Sequence, residues 1–570
     1  MIGRITSRVV TAAAIVSLTG CWSSELNQHP LLANTELQRL ETIPVVRMED
    51  LAMPDSTPPE MLFDVDMEEL LRPITQREPQ LLDLTQVRNA VLEHNLKIQV
   101  TMWNAPLAAA QVETEMGKFD ALVTASITDA QEIESAGDLA HPTAIYTDDS
   151  LEFNGELAIP LLTGGTVTMG TDIARDSTKL EPSNTPPESA VWGTPGIGIT
   201  QPLLRGAWTQ VATAPVILEM YKDRIARAEQ HLSVISVLSQ AEQSYWSLAG
   251  AWENLRQQQM IYELAQLQVT DAEALFKAGQ VAQTEVLRAQ LGMAQQASKL
   301  VDADDTVRTA QRSLKLLLNM PNVSLEDNDL LVPSVIPVVE PFVLDDRRLV
   351  DLAMTHRMEL LESELELAAD TLNIEVARSG TLPDLSIALQ AYRLGITENS
   401  WINSMGKAFS NQGPWGWSAS LSGEIALGNH AAEGTLRQAM LTRLQDIATK
   451  HERELTIIGD VLSAVQSLQM GWKKYAAAKR AVVLAQETYA AERRLFQLLE
   501  RTSTDVAEAL QNVSSTRKVM ITTTVDYQNA QVSLAMATGC YLGRNAVELQ
   551  VPVPTAEAAV NIPGPGTDVP

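Results

Sequence analysis

The sequence predicts an α+β membrane protein in which strands form a wall between lipid and water and very long helices extend from that wall. Segments that alternate apolar residues with Thr, Ser or Gly occur in two regions of the chain, and such alternation is the signal of a strand with one apolar face. A helix-patterned segment too long for a globular core follows each region. The same order of short helix, strands, long helix and return helix occurs twice, which predicts two internal repeats.

The first 20 residues have the form of a lipoprotein signal peptide. Arg4 and Arg8 precede an apolar run, Val9–Leu18, that is too short to span a bilayer comfortably. The run leads into Leu-Thr-Gly-Cys21, which resembles the bacterial lipobox, whose cysteine is acylated and becomes the mature N-terminus. Trp22 follows, whereas an Asp there is associated with retention in the inner membrane. We therefore expect a lipid anchor at Cys21 in the outer membrane, and an ordinary signal peptide with an incidental cysteine is the alternative.

The patterns divide the chain of 570 residues into five parts. Residues 1–20 are the signal peptide, and residues 21–83 are an N-terminal lipid-anchored arm without a sustained period. Residues 84–340 form the first repeat, and residues 341–545 form the second. Residues 546–570, rich in Pro, Gly and Ala, are expected to be a disordered tail.

The composition limits the classes of partner. The formal net charge is −29, and no basic run follows the N-terminus, which argues against nucleic acid and anionic lipid headgroups as partners. A basic protein partner or a cationic cargo fits this charge, and a merely soluble acidic surface is the alternative. With Cys21 lipidated, Cys540 is the one remaining cysteine, so no internal disulfide is expected.

Each region of alternation is expected to supply strands with one apolar face and one small or polar face, as a membrane wall requires. The first region is longer, and we expect its surplus hairpin, around Leu151–Ile173, to extend outside the membrane. A soluble, half-buried sheet is the alternative, but tryptophans near the strand ends favour lipid, because indole rings collect at membrane interfaces. The predicted strand segments are Ala121–Thr128, Gly165–Ile173, Gly196–Leu204, Leu382–Tyr392 and Trp415–Leu427.

Two long helices follow the strands, at Trp208–Ala278 and Ala431–Leu499. Apolar residues spaced three, four and seven apart predict that these helices pack side by side as in a coiled coil. Gly279 is expected to end the first long helix, because glycine is a natural helix stop. The chain then returns in shorter antiparallel helices, predicted at Gln283–Met320 and Thr504–Gly539.

Five short segments follow one another in order along the chain: Gln201–Gly206 (QPLLRG), Ser244–Leu248 (SYWSL), Ala278–Leu287 (AGQVAQTEVL), Ala377–Leu385 (ARSGTLPDL) and Ile425–His430 (IALGNH). Each segment is weak by itself, but the five together resemble the TolC-like outer-membrane efflux protein family across nearly the whole mature chain. Two positions depart from the family pattern. Leu498 and Leu499 stand where the family has a glycine at the second tip, which is the turn between the second long helix and its return helix, and Ala426, at a strand end, stands where the family has a proline.

The resemblance implies a homotrimer whose protomers each give four strands to a shared twelve-stranded outer-membrane β-barrel, continued by a periplasmic α-helical coiled-coil barrel. It implies a duct that docks onto a periplasmic adaptor protein and an inner-membrane RND or ABC transporter, and it implies no enzyme activity. No cofactor, metal or catalytic residue is expected, because the sequence has no paired His or Cys motif, no Gly-x-Ser-x-Gly and no phosphate-binding loop.

The resemblance also assigns a role to two acids of the second return helix. Asp505 and Glu508 fall where characterised members carry pore-facing acids, three positions apart and so on one helix face. In a trimer they would form two rings of carboxylates at the periplasmic entrance, which would attract cations. The alternative is that both are ordinary acids near a helix N-terminus, favoured there by the helix dipole.

A latch between the two tips is implied in the same way. Arg501 falls where a family arginine ties the second tip to Thr284 and Glu285 of the first tip, and Phe496 falls where an aromatic residue contributes to the latch. The tips are also where the adaptor is expected to bind. The adaptor-contact residues are Gly279, Gln280, Val281, Leu499 and Glu500.

Three non-enzymatic functions fit these patterns. The first is a duct that exports small molecules, and the second is the same duct used for type I protein secretion. The third is a structural coiled-coil lipoprotein that spans the periplasm without conducting, which leaves the paired strand regions unexplained.

Overall fold

The computed structural model describes residues 79–135, 145–181, 188–320, 330–335, 337–397, 401–409 and 413–545. All of them belong to one structural unit that begins at Ile74. The predicted signal peptide, the lipidation site Cys21, most of the N-terminal arm and the C-terminal tail lie outside the described residues. The predictions for the other parts of the chain can be compared with the helices and strands of the described residues.

The described helices include two very long ones, each followed by an antiparallel return helix, as predicted. Pro215 lies in the first turn of the first long helix, where its missing N–H has no helical partner to lose. Among the helices in the described ranges, none combines the length and the apolarity needed to cross a bilayer. The helices are α1 Leu84–His94, α2 Leu96–Met102, α3 Asn104–Met116, α4 Thr209–Ala212, α5 Ala214–Lys277, α6 Gln283–Leu318, α7 Asp346–His356, α8 Met358–Gly380, α9 Trp401–Phe409, α10 His430–Gln497, α11 Ser503–Ala537 and α12 Tyr541–Arg544.

Nine strands are described, in two sheets. The small sheet pairs β1 with β6 in parallel, and the large sheet has the order β2-β3-β4-β5-β7-β9, with β8 also on β5. β7 and β8 pair with β5 one after the other in a single register, so together they form one interrupted strand. The strands are β1 Pro79–Leu82, β2 Leu122–Ser135, β3 Ile145–Pro160, β4 Thr166–Glu181, β5 Glu188–Pro202, β6 Leu330–Pro333, β7 Asp384–Arg393, β8 Gly395–Thr397 and β9 Trp415–Glu424.

Short helices begin where side chains satisfy the first N–H groups. The Asp83 side chain accepts from the N–H of Thr85, and the Asp83 N–H donates to Gln86 Oε1 at 3.1 Å, which is a capping box at the start of α1. Asn95 separates α1 from α2 and accepts from the N–H groups of Lys97 and Ile98. The Asn95 cap separates α1 from α2, and α2 gives way to α3 at Trp103, which has no side-chain cap, so the segment has three short helices.

The long helices form the core of the helical part. α5 packs against α6, α11, α3 and α8, and α10 packs against α11, α8 and α7. Alanine and β-branched residues fill the contacts, so the helix axes approach closely, as the spacing of apolar residues predicted. The core therefore consists of lines of buried side chains that run along the contacts between neighbouring helices.

A buried polar cluster fixes the C-terminal segment to this core. Glu242, 2% exposed, pairs with Arg88 at 3.1 Å, and its Oε2 accepts from the hydroxyl of Tyr541 at 2.8 Å. Burial, followed by the charge of Glu242, strongly raises the pKa of the Tyr541 hydroxyl, so this group stays a donor. The three side chains join α1, α5 and α12 at one point.

The large sheet has two chemically different faces. Paired residues across the sheet always have the same parity, so odd-numbered residues share one face and even-numbered residues share the other. The odd face carries apolar side chains on all six strands of the main path, many of them exposed in a single chain, and its charged residues, such as Asp129, Asp149 and Arg175, lie towards the end away from the long helices. α9 packs on this face near β5, where the sulfur of Met405 lies against Gly193.

The surplus hairpin predicted around Leu151–Ile173 is part of the sheet. β3 and β4, which include Leu151–Ile173, do not extend away from the sheet, because they lie between β2 and β5 and pair on both sides. The large sheet of one chain therefore has six strands along its main path, whereas the family resemblance implied four strands per protomer. The sequence pattern found the strands, but it does not encode which strands become neighbours.

Asp370 provides a pH-dependent contribution to stability. Its side chain on α8 is 8% exposed, and burial, followed by a hydrogen bond with Asp446, raises its pKa to about 6. A raised carboxyl pKa stabilises the fold below the unfolded pKa, and this stability is lost as the pH rises through about 6. Asp370→Asn should therefore stabilise the protein at pH 7.5, by up to about 3 kcal/mol relative to wild type, and by about half as much at pH 5.

Thermal unfolding at both pH values measures this difference. Asp351→Asn, at an exposed site on α7, is the matched control and should have the same small effect at both pH values. An Asp370→Asn effect that does not change between pH 5 and pH 7.5 would contradict the assignment.

Candidate gate at the helical tips

The first tip turns the chain at Gly279. Its φ is 71°, in the left-handed region that glycine adopts without strain. The N–H of Gly279 donates to the carbonyl of Phe276 at 2.8 Å, and the N–H of Gln280 donates to the carbonyl of Leu275 at 2.9 Å. The predicted helix stop is confirmed, and it satisfies the carbonyls at the end of α5.

The second tip makes the same turn without a glycine. Leu499 has a φ of 64°, and its N–H donates to the carbonyl of Phe496 at 3.0 Å. The N–H of Glu500 donates to the carbonyl of Leu495 at 3.0 Å. The two tips thus have the same hydrogen bonds. At the second tip a leucine adopts the left-handed conformation, which costs on the order of 1 kcal/mol because of its Cβ.

The return helix α11 begins with a capping box. Asp505 Oδ2 accepts from both the N–H and the hydroxyl of Thr502 at 2.9 Å, and the Thr502 hydroxyl accepts from the Asp505 N–H at 3.4 Å. The hydrogen bond from the Thr502 N–H is the main cause of the lowered pKa of Asp505. Asp505 therefore stabilises the start of its helix, which is the alternative stated from sequence, and its other oxygen takes no part in the cap.

Glu285 joins the first tip to the second. Its Oε2 accepts from the N–H of Ser503, the first residue of α11, at 2.8 Å, and its Oε1 pairs with Arg288 at 2.6 Å. Gln268 of α5 donates to the Ser503 carbonyl at 2.8 Å. The N-terminus of α11 thus holds a carboxylate from the neighbouring hairpin, where the helix dipole favours negative charge.

Within one chain, Arg501 pairs with Glu492 and not with Glu285 or Thr284. Arg501 Nε lies 3.3 Å from Glu492 Oε2, on the last turns of α10. Glu285 already receives two donors, whereas Glu492 lies beside the turn that carries Arg501. Thr284 is exposed next to Glu285.

Phe496 lies in the core between the two hairpins and is 2% exposed. The equivalent residue of the first tip, Phe276, is 43% exposed, so the two tips differ in what they bury. Burying one phenylalanine contributes roughly 2 kcal/mol. The buried residues around Phe496 are Ile261, Ala265, Ala272, Val286, Ala289, Tyr489, Val506, Ala509, Leu510 and Val513.

A further tie near the tips could not be predicted from sequence. Arg493 of α10 donates from Nε and Nη2 to Asp271 of α5 at 3.1 and 3.0 Å, and Gln497 donates to the same oxygen at 3.4 Å. Tyr489 lies buried beside this pair, and burial raises its pKa. Nothing in the local pattern distinguishes Asp271 from other acids on these helices, because the pairing depends on the alignment of two long helices.

The remaining predicted residues are accessible. Gly279, Gln280, Leu499 and Glu500 are exposed at the tips, and Val281 is partly buried. Glu508 is exposed and, together with Thr504 and Arg288, lines a cavity of about 380 Å³ among α5, α6 and α11. Among the described residues, no group of His, Cys, Asp or Glu side chains is arranged to hold a metal ion.

Residues 349–540 match the family model described as outer membrane efflux protein. This part of the chain is similar to the outer membrane efflux protein family. The match confirms the resemblance stated from sequence and the prediction that the chain is not an enzyme, because the family consists of channels. An outer-membrane location and a role in efflux are what this family implies.

Solved structures show the same fold. The chain is similar to the CmeC outer membrane channel of Campylobacter jejuni, with a TM-score of 0.59, 14% identity, and coverage of 80% of this chain and 86% of that chain. The chain is also similar to VceC of Vibrio cholerae, with a TM-score of 0.58, 14% identity, and coverage of 80% of this chain and 96% of that chain. For CusC the TM-score is 0.57 and the identity 17%, with coverage of 85% of this chain and 99% of that chain. The search of curated proteins found no match.

The strain at Leu499 predicts a stabilising substitution. Leu499→Gly should raise the free energy of unfolding by about 1 kcal/mol, because glycine adopts the left-handed region without a Cβ clash. Leu498→Gly is the matched control, since Leu498 is exposed but has a φ of −86°, and it should destabilise the protein. Chemical unfolding of the two variants and wild type measures the effect, and equal values for both variants would contradict the assigned turn.

Proposed function

We propose that this chain is the outer-membrane duct of a tripartite efflux system. Three copies form one duct, which exports small molecules that an inner-membrane RND or ABC transporter delivers through a periplasmic adaptor protein. The lipid on Cys21 anchors each copy in the outer membrane. The family match over residues 349–540 and the shared fold support this proposal.

The observation that carries the proposal is a sheet with one apolar face joined directly to very long helices. β5 leads through a short turn into α4 and α5, and β9 leads into α10. An apolar face exposed along six strands suits contact with lipid, and helices of 64 and 68 residues reach far from the sheet. A non-conducting coiled-coil lipoprotein would need no such sheet.

Uncovered apolar stripes on the helices support assembly of several copies. One stripe on α2 and α3 consists of Leu96, Val100, Trp103 and Leu107, spaced three or four residues apart and each more than half exposed. A second stripe on α10 consists of Met440, Leu441, Leu444 and Ile447. Contiguous exposed apolar surface of this kind marks an interface, because burying it against another copy removes it from water.

The gate proposal places the entrance at the two tips. Asp505 and Glu508 provide negative charge there, while the ties of Glu285 to Ser503 and of Arg493 to Asp271 hold the two hairpins of a chain together. The partly exposed Arg493–Asp271 ion pair contributes only about 0 to 1 kcal/mol. Three copies nevertheless multiply the effect, so loosening these ties shifts the population towards an open entrance. The adaptor binds to the exposed tip residues Gly279, Gln280, Val281, Leu499 and Glu500.

Planar-bilayer recording of the purified protein tests the duct and its gate together. The wild type should conduct with a preference for cations. Arg493→Ala, which removes a contact between the two hairpins, should raise the single-channel conductance, while Asp505→Asn and Glu508→Gln should lower the cation preference. Asn is chosen at 505 because its amide oxygen can still accept from the N–H of Thr502 in the capping box.

Matched controls separate these effects from general damage. Arg308→Ala removes an ion pair with Asp304 that lies within α6, and Asp346→Asn removes an exposed acid of α7; neither should change the currents. Absence of any conductance would contradict the duct. Conductance that none of the tip variants changes would contradict the gate alone, and a loss of protein export in place of small-molecule resistance on gene deletion would favour type I secretion.

A further inference from the structure

The hairpin formed by β3 and β4 is built into the sheet along its whole length. Every one of the 16 residues of β3 is in register with β4, and β2 pairs with the other edge of β3 from Leu122 to Ser135. β4 in turn pairs with β5 from Thr166 to Thr178. A hairpin that extended beyond the wall would leave β2 and β5 as neighbours, but here they are separated by two strands.

Each face of the β3–β4 hairpin has the same chemical character as the corresponding face of the neighbouring strands β2 and β5. Leu157 of β3 lies in register with Val123 of β2 and Met169 of β4, and Met169 lies opposite Ile197 of β5. The odd face is therefore apolar across the hairpin as well as beside it. The members of this face near the middle of the sheet are Val123, Ile127, Phe153, Leu157, Val167, Met169, Ile197, Ile199, Ile387, Leu389, Trp417 and Leu421.

The turn of the hairpin is fastened to the helix end of the sheet. The hydroxyl of Thr163 donates to Gln201 Oε1 at 2.8 Å, and Gln201 Nε2 donates to the Thr163 carbonyl at 3.0 Å. Gly164 has a φ of 83°, and a Cβ there would lie 2.4 Å from the carbonyl oxygen of Gly206. This close approach places the turn at the junction of β5 with α4, at the opposite end from the connections to β2 and β5.

The even face of the sheet is polar, and its charges have one sign. Among the even-numbered strand residues whose side chains the structure describes, every charged one is acidic. Asn154 Nδ2 donates to Asp172, and the indole N–H of Trp192 donates to Asp176 at 3.0 Å, so these acids point to the even face. The hairpin contributes Asp148, Glu152, Glu156, Asp172 and Asp176 to this face.

The two edges of the sheet allow copies to join. Neighbouring strands are antiparallel throughout, so β2 and β9, the edge strands, run in opposite directions. β9 of one copy can therefore pair antiparallel with β2 of the next. An even number of strands per copy is what an all-antiparallel closed wall requires.

We propose that the β3–β4 hairpin is part of the transmembrane wall, so that three copies close a barrel of eighteen strands with an acidic lumen. This inference rests on the proposed function. Six strands from each of three copies replace the four from each that the family resemblance implied. Barrel diameter grows roughly linearly with strand number, so the lumen is about 1.5 times as wide as that of a twelve-stranded barrel. Each copy still contributes four long helices, as the family resemblance implied. The barrel therefore encloses a space that is wider than the tube formed by the twelve helices of three copies.

Spin-label accessibility in lipid vesicles tests the position of the hairpin without requiring conductance. In a Cys540→Ser background, labels at Leu157 and Met169 should collide with oxygen dissolved in lipid as often as a label at Leu389 of β7, the control. A label at Glu156 should instead collide with a water-soluble nickel complex. If labels at both Leu157 and Glu156 are accessible to nickel and shielded from oxygen, the hairpin lies outside the wall and the inference is overturned.

A deletion variant tests the width of the wall. Removing residues 145–181 rejoins β2 to β5 and leaves four strands per copy with the same alternation of direction. This channel should exclude neutral polymers, added on the barrel side, that occupy the wild-type vestibule. Equal polymer size limits for the two channels would overturn the eighteen-stranded wall.

Neutralising the hairpin acids tests the lumen. Glu152→Gln, Glu156→Gln, Asp172→Asn and Asp176→Asn combined should lower the cation-to-anion permeability ratio, whereas Asp129→Asn and Asp149→Asn on the odd face should not. An unchanged ratio would overturn the acidic lumen. If the wild type itself does not conduct, the proposed function fails, and the spin-label result still decides where the hairpin lies.

Discussion

An apolar sheet face with two unpaired edges is the constraint on which the rest of this structure depends. In water, the odd face of the large sheet would expose Val, Ile, Leu and Met side chains, and in lipid, the edge strands β2 and β9 would carry unsatisfied backbone groups. Contact with lipid would remove the apolar side chains from water, and pairing with further copies would satisfy the backbone groups at the two edges. The uncovered stripes on α2, α3 and α10 fit the same solution in the helical part, where further copies would bury them.

The helical tips solve a different problem, which is how to end a very long helix and begin its return. Both tips use a left-handed residue, at Gly279 and Leu499, and both use an acid at the third position of the return helix. The acids then diverge: Asp505 caps its own helix, and Glu285 reaches the N-terminus of the neighbouring one. The two tips thus share a local structure but differ in one contact, because only Glu285 reaches across to the other hairpin and joins the two hairpins.

Much of this arrangement could be predicted from sequence because it is local. Alternation identified the strands, spacing identified the long helices, and Gly279 marked the first tip. The partners across elements could not be predicted, because Arg493 meets Asp271, and Arg501 meets Glu492, only after long helices align. The insertion of β3 and β4 between β2 and β5 was missed for the same reason, since strand neighbours depend on pairing and not on period. Leu499 was missed because no pattern marks a leucine for the left-handed region.

The central claim is that several copies close one wall, and the number of chains in the particle tests it most directly. Native mass spectrometry of the protein extracted in mild detergent measures that number without assuming a function or a strand count. The account predicts three chains in a single species that persists on dilution. A monodisperse single chain, stable with both sheet edges unpaired, would contradict it.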